Sequence, residues 1–223
     1  MSALSLTHTT IGKKVVVAIT GAALFGFVVA HLLGNLLLFA GPEAMNAYAA
    51  TLASQPALLW TARIFLLVAV VAHIGLTLQL AGRNAGARPR RYQHERKDRV
   101  TSPAAKTMAY SGPLLFAFIV FHLAHLTAGT TLGLYEHSST DVYGNVVNSF
   151  RIWWISAIYI FANIMLGLHL FHGGWSLTQT FGLAHPKYDP LRKRLATGLA
   201  VFVAGGNCFI PIAVLLGLVG SGV

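Results

Sequence analysis

The chain is poor in charged residues, above all in acidic ones. Only 10% of its 223 residues are charged, and Asp and Glu together number 6. A soluble domain has about 25% charged residues, so this composition excludes an ordinary soluble domain. No segment has the alternating hydrophobic pattern of a membrane β-strand, which excludes a transmembrane barrel. A helical membrane protein is the class that these absences leave.

Cysteine is also nearly absent. The single Cys208 lies in an apolar run, so it can form neither an internal disulfide nor a paired-cysteine haem attachment. The polar segment Met1–Gly12 lacks the cleavage pattern of a signal peptide and is predicted to be a retained tail. The net charge of +10 comes from Lys and Arg grouped between apolar runs. A topology signal explains that grouping, so no nucleic-acid partner is expected.

The hydrophobic residues, 55% of the chain, fall in blocks of the length that crosses a bilayer, about 20 residues. They predict an all-α fold, a single domain over 1–223 that is an integral membrane bundle of five transmembrane helices. Among the connections, Glu43–Pro56 is predicted to be a surface loop or a short interfacial helix, Gly133–Ser149 a loop, and Thr178–Arg194 a short basic link. The predicted spans are about 15–39, 58–80, 108–129, 152–177 and 195–218.

Basic residues predict the orientation. All Lys and Arg residues except Arg63 and Arg151 lie in the tail, the second-to-third connection and the fourth-to-fifth connection. Positive residues stay on the cytoplasmic side, so the N-terminus is predicted to be cytoplasmic and the C-terminus outside. The run RPRRYQHERKDR at 88–99 is a topology signal and also a candidate docking surface for a cytoplasmic partner.

Histidines inside the apolar runs are the main functional signal, because an ionisable residue within a membrane span is costly. With a rise of about 1.5 Å per residue, His31 and His122 lie about 24 Å and 21 Å from the cytoplasmic face. By the same measure His73 and His169 lie about 10 Å and 12 Å from it. We call His31 and His122 the outer pair, and His73 and His169 the inner pair.

Two imidazoles that face each other across a helical bundle are typical axial ligands of a b-type haem. Two such pairs at different depths predict two haems and an electron path across the bilayer. A zinc site is disfavoured, because zinc takes three or four ligands at one depth and the spans contain no Asp or Glu. His125 and His172 lie one turn from His122 and His169 on the same face, and depth does not separate His122 from His125.

Other polar and aromatic residues have plainer interpretations. Arg63 and Arg151 either pair with haem propionates or anchor their helices in the head groups. Gly34 and Gly173 share a face with His31 and His169 and would leave room for a macrocycle. The aromatic residues at the outer ends are interpreted mainly as a membrane-interface belt, and they are Trp60, Trp153, Trp154 and Tyr159. The histidines of the tail and loops are predicted to be solvated, and they are His8, His94, His137 and His185.

The pattern resembles a known family, the five-helix, two-haem cytochrome b membrane anchor of succinate dehydrogenases and fumarate reductases. The resemblance runs from about Ile11 to Ala200. Its motifs are IGKKVVVAITG, FVVAHLLGNLLLF, VVAHIGLTLQ, FIVFHLAH and GLHLFHGGWSLTQTFG. It implies that His31 and His122 bind the outer haem iron and that His73 and His169 bind the inner one. Some relatives carry a basic residue where this chain has Thr180. Candidates for the inner propionates are therefore Lys13, Lys14 and Lys187.

The resemblance also implies the partners. A flavoprotein with FAD and an iron–sulfur subunit would dock on the cytoplasmic face of a bacterial inner membrane. Succinate chemistry would take place on the partner, and this chain would pass electrons through both haems to menaquinone. A homo-oligomer of the complex is left open. Two alternatives remain: the two-haem anchor of a nitrate reductase or hydrogenase, and a transporter that uses its histidines.

Overall fold

The computed structural model describes residues 8–86 and 103–220, and within them the chain is helical with no strand. The basic run at 88–99, with His94, lies outside these residues, as do residues 1–7. Within the described residues, five helices are long and apolar enough to cross a membrane. The prediction of five spans is therefore confirmed. The helices are α1 (Thr10–Asn35), α2 (Pro42–Ala53), α3 (Pro56–Gly86), α4 (Pro103–His122), α5 (Val142–Phe150), α6 (Trp153–Thr180) and α7 (Asp189–Leu215).

The long helices extend beyond the apolar blocks at several ends. Helix α1 begins at Thr10, because the Thr9 side chain accepts a hydrogen bond from the Gly12 amide and caps it. Helix α7 begins at Asp189 with a proline in its first turn, where the missing N–H costs nothing. The prediction that Thr178–Arg194 is a connection is therefore wrong for Thr178–Thr180, which end α6, and for the residues from Asp189 onward.

Two short helices lie at one end of the bundle. A 3₁₀ turn at Leu36–Ala40 ends at Gly41, which has a φ of 97°, and helix α2 follows directly. Helix α5 replaces the second half of the loop predicted at Gly133–Ser149, and that prediction is wrong from Val142 onward. Asp141 caps α5 by accepting from the Gly144 amide at 2.9 Å, and the apolar face of α5 is buried, with Val147 fully inaccessible.

Hydrophobic residues at this end form the core of the molecule. Helix α5 and the neighbouring ends of α1, α6 and α7 contribute residues to this core. We call the end of the bundle that carries α2 and α5 the capped end. Its buried members are Leu32, Leu38, Met45, Tyr143, Val147, Phe150, Ile155, Tyr159, Ile210 and Val214. A Cβ at Gly206 of α7 would lie 2.9 Å from the Leu32 side chain. The absence of a side chain at Gly206 thus makes room for Leu32 of α1.

The five spans pack unequally. Helix α6 packs against α1, α4 and α7, whereas α3 packs mainly against α1. Among the described residues of α3, Ala69 alone is buried, and large side chains such as Leu67 are about two-thirds exposed, at 64%. Helix α3 therefore presents most of its apolar surface outward, as a helix in contact with lipid does.

Candidate functional site

The outer pair meets across the bundle near the capped end. His31 belongs to α1 and His122 is the last residue of α4, and these two helices have little or no direct backbone packing in the described chain. The two imidazole rings lie 5.8 Å apart between centroids, at an angle of 81°. Phe27 stacks on His31 and Phe118 on His122, with centroids at 5.4 and 5.8 Å. Aromatic contacts one helical turn away thus orient both rings.

His122 and His125 differ in the hydrogen bonds that their ring nitrogens make. Nδ1 of His122 lies 3.2 Å from the Tyr159 hydroxyl, and Nδ1 of His125 lies 3.0 Å from the same hydroxyl. Nε2 of His125 is also engaged, with Ser149 Oγ at 3.0 Å and the Tyr135 hydroxyl at 3.3 Å. Nε2 of His122 has no protein partner in the described chain. His122 therefore keeps a ring nitrogen for a ligand, and His125 does not.

Two sets of proton positions satisfy this network. In one, Nδ1–H of His122 donates to Tyr159, Tyr159 donates to Nδ1 of His125, and Nε2–H of His125 donates to Ser149. In the other every donor and acceptor is reversed, and only the first set leaves the lone pair of His122 on Nε2. Burial raises the pKa of the Tyr135 hydroxyl, so this outermost member stays a neutral phenol. His125 is 3% exposed, and it supports Tyr159 in its contact with His122.

The inner pair lies on two other long helices, α3 and α6, and further from the capped end. Nδ1 of His73 in α3 lies 3.1 Å from the Val17 carbonyl oxygen and 3.2 Å from Thr20 Oγ1, both in α1. A carbonyl oxygen can only accept, so Nδ1 of His73 carries the proton and Nε2 carries the lone pair. Nδ1 of His169 in α6 lies 3.2 Å from Ser111 Oγ in α4.

The two pairs occupy separate levels. Val17, the partner of His73, precedes His31 by fourteen residues in α1, which is about 21 Å along the axis. Ser111, the partner of His169, precedes His122 by eleven residues in α4, which is about 16 Å. The separation in depth inferred from the sequence thus has a counterpart in side-chain contacts between helices.

The glycines near the histidine pairs do not all leave open space, as was expected of Gly34 and Gly173. The space at Gly34 is filled by the Tyr48 ring, which a Cβ would approach to 2.8 Å, so Gly34 serves packing of α2 and leaves no room for a macrocycle. Gly173 has no atom within 4 Å of a built Cβ. Gly21, which sequence reasoning missed, faces the inner pair, since its Cβ would lie 3.1 Å from Cε1 of His73.

Other predicted residues lie apart from the pairs. Arg63 is exposed and stacks on Trp60 at 5.2 Å, while Arg151 donates to the Gly220 carbonyl at 2.6 Å. Both contacts agree with an anchoring role. Trp60 and Trp153 are 58% and 73% exposed, as a membrane-interface belt requires, but Tyr159 is 5% exposed and belongs to the site. The belt interpretation was wrong for Tyr159.

The donor set fits haem chemistry. A bond between a first-row metal and an imidazole nitrogen is about 2 Å long, so two imidazoles on opposite sides of one ion have centroids roughly 6 Å apart. The outer pair has that separation. In metalloproteins the second ring nitrogen of a ligating histidine usually donates to a carbonyl or side chain. Nδ1 of His73 donates in this way to the Val17 carbonyl, and Nδ1 of His122 and of His169 each lie 3.2 Å from a side-chain hydroxyl. Within residues 8–86 and 103–220, no group of three or more His, Cys, Asp and Glu side chains is placed to hold a metal ion.

Comparison of the chain with protein-family models, with curated proteins and with solved structures gave no match.

Proposed function

We propose that the chain is a di-haem cytochrome b, with one haem between His31 and His122 and a second between His73 and His169. The observation that carries the proposal is shared by three of these histidines. Each contacts a neighbouring helix through Nδ1 and has no protein partner on Nε2 in the described chain. His125, by contrast, has protein partners on both ring nitrogens.

His31 supports the proposal in a different way. It has no hydrogen-bond partner among the described residues, and its ring contacts other aromatic rings, those of Phe27 and His122. An unsatisfied polar group in the hydrocarbon region is unfavourable by several kcal/mol. Coordination to iron would satisfy the imidazole, and His122 is in position to bind the opposite side of the same iron.

The function that follows is electron transfer. A bound b-type haem supplies a one-electron couple, and the chain contributes axial ligation, burial and hydrogen bonds that set its potential. Two haems at two levels would carry electrons between the membrane faces. We propose that the chain is the membrane anchor of a succinate:quinone oxidoreductase in the bacterial inner membrane. A flavoprotein with FAD and an iron–sulfur subunit would bind its cytoplasmic end, and menaquinone would accept the electrons.

The proposed orientation places the capped end outside. Helices α6 and α7 meet at the opposite end, where Arg192 lies 4.5 Å and Lys193 5.2 Å from the Trp175 ring. Basic residues at this end support a cytoplasmic location.

The test is a reduced-minus-oxidised absorption spectrum of the purified chain, with haem quantified by pyridine haemochrome. We expect two haems per chain and split reduced bands. A colourless protein would overturn the proposal and favour a transporter. Purification of the intact complex then identifies the partner. A co-purifying flavoprotein with succinate-dependent haem reduction supports the succinate anchor, and a molybdenum or nickel subunit would contradict it.

A further inference from the structure

Lys13 is a buried cation at the end of the bundle opposite the capped end. Its residue exposure is 5%, and it is the only Lys or Arg among the described residues that is buried. Its ammonium donates to Oε1 of Gln79 across the α1–α3 contact. Gln79 is neutral and is the only partner of Lys13 in the described chain, whereas an ammonium has three donors.

The other cations at this end do not share this environment. Arg192 is paired with Asp189 and donates to Thr178. Lys187 is exposed and lies over the Tyr188 ring at 5.6 Å. Lys14, the neighbour of Lys13, is exposed. Burial of a charge is costly unless an opposite charge accompanies it, and the position of Lys13 therefore calls for an anion.

The position of Lys13 indicates which anion. Lys13 precedes Val17 by four residues, so both lie on one face of α1, and the Val17 carbonyl accepts from His73. Gln79 follows His73 by six residues, which places it about 9 Å further along α3. The Lys13–Gln79 contact therefore bridges α1 and α3 between the His73 ring and the nearby membrane face. A haem carries two propionate carboxylates on one edge.

We propose that Lys13, held by Gln79, forms an ion pair with a propionate of the haem that His73 and His169 bind. This inference rests on the proposed function, and it selects Lys13 from the three lysine candidates. The cation neutralises a carboxylate beside the iron. Removal of the cation leaves that negative charge uncompensated, which favours ferric over ferrous iron and lowers the inner haem potential.

The experiment is a redox titration of Lys13→Gln in two single-haem backgrounds. His31→Ala retains the inner haem, and His73→Ala retains the outer one. In the first background we expect the ferric-to-ferrous ratio at a fixed potential to rise about tenfold, which is a midpoint about 59 mV lower for a one-electron couple. In the second background we expect no shift.

The matched control is Lys14→Gln, which removes the same charge from the adjacent, exposed position. We expect it to leave the inner potential unchanged, and Lys13→Arg to keep it close to that of the parent. Gln79→Leu is expected to produce a smaller shift of the same sign, and it serves if Lys13→Gln does not accumulate. Absorption bands of the retained haem verify the fold of each variant.

Two results would overturn the inference. Equal shifts of the inner haem potential in Lys13→Gln and Lys14→Gln would indicate that the potential responds to net surface charge and not to an ion pair with Lys13. An unchanged inner potential in Lys13→Gln would indicate that the ammonium binds another anion, such as a lipid phosphate. Absence of haem from the parent chain is a separate result, because it contradicts the proposed function itself.

Discussion

The outer and inner pairs orient their imidazoles by different means. At the outer pair the partner of His122 is a side chain, the Tyr159 hydroxyl, which is itself held by His125. At the inner pair the partner of His73 includes the main-chain carbonyl of Val17. A main-chain carbonyl persists through any substitution, whereas a hydroxyl can be removed by one. The two sites should therefore differ in their sensitivity to mutation.

Loss of a ligand is the largest change. We expect His31→Ala or His122→Ala to remove the outer haem alone, and His73→Ala or His169→Ala to remove the inner haem alone, because each level has its own pair. Low-temperature difference spectra of the purified variants would measure which band is lost.

The matched control for this series is His172→Ala, one turn from His169 on the same face of α6. It should retain both haems. If it removed the inner haem while His169→Ala retained it, the assignment of ligands would be reversed. If any single variant removed both haems with the helices intact, the two levels would not be independent.

The second largest effect on haem binding is expected from a substitution at Gly21, which lies against His73. Gly21→Leu places a side chain where even a Cβ would lie 3.1 Å from Cε1 of His73. The imidazole would have to move, and we expect a reduction of inner-haem affinity at the upper part of the 10–100-fold range typical of such supporting residues. Haem content per chain would measure it. Gly26→Leu on the same helix, with no atom within 4 Å of the built Cβ, should leave both haems in place.

Substitutions of the hydrogen-bond partners test the comparison directly. Tyr159→Phe keeps the ring but leaves Nδ1 of His122 unpaired, and we expect about tenfold weaker outer-haem binding. Ser111→Ala should weaken the inner haem less, because the Ser111 hydroxyl contacts one histidine, whereas the Tyr159 hydroxyl contacts both His122 and His125. Thr20→Val should have the smallest effect, since His73 retains the Val17 carbonyl. Rates of haem loss to an excess of a scavenging protein would establish the order, and a Thr20→Val effect as large as that of Tyr159→Phe would contradict it.

The smallest effect concerns the capped end and not the haems. Asp141 accepts from the Gly144 amide and from Asn46 Nδ2, each at 2.9 Å, and so joins α2 to α5. Asp141→Ala removes a helix cap, which lowers the free energy of unfolding by about 1 kcal/mol. Thermal unfolding of the purified protein would detect the change, and haem spectra should not alter.

The contribution of Asp141 to stability is expected to depend on pH. The Gly144 amide and the Asn46 side chain hold the pKa of Asp141 below its usual value of 3.8. The stabilisation is therefore present above the usual pKa and is lost as the pH falls through the lower folded pKa. The difference in unfolding midpoint between parent and Asp141→Ala should shrink in that acid range and be constant near neutral pH.

The sequence was most informative where one physical quantity dominates. Hydropathy predicted all five spans, because a bilayer requires about 20 apolar residues at each crossing. Counting residues along a helix predicted that His31 lies level with His122, since helical rise is constant. The helix at Val142–Phe150 was missed because Gly, Asn and Ser are common in loops, and tertiary burial of Val147 and Phe150 outweighs that local preference.

The hydrogen-bond partners could not be predicted for a different reason. Which residues of two helices meet depends on their rotation and offset, and these follow from packing across the whole bundle. Val17, Ser111 and Gly21 carry no sequence signal of a site. Tyr159 resembles an interfacial aromatic until α5 is seen to bury it.

The bond between His73 and Val17 has a consequence for synthesis of the protein. It joins the first two spans, so one half of the inner site can form as soon as that hairpin has entered the bilayer. His169 lies 96 residues later, a delay of roughly 5 to 20 s at ordinary translation rates. During that interval the nascent chain already presents a correctly protonated imidazole, and a porphyrin could be captured before the ribosome has finished.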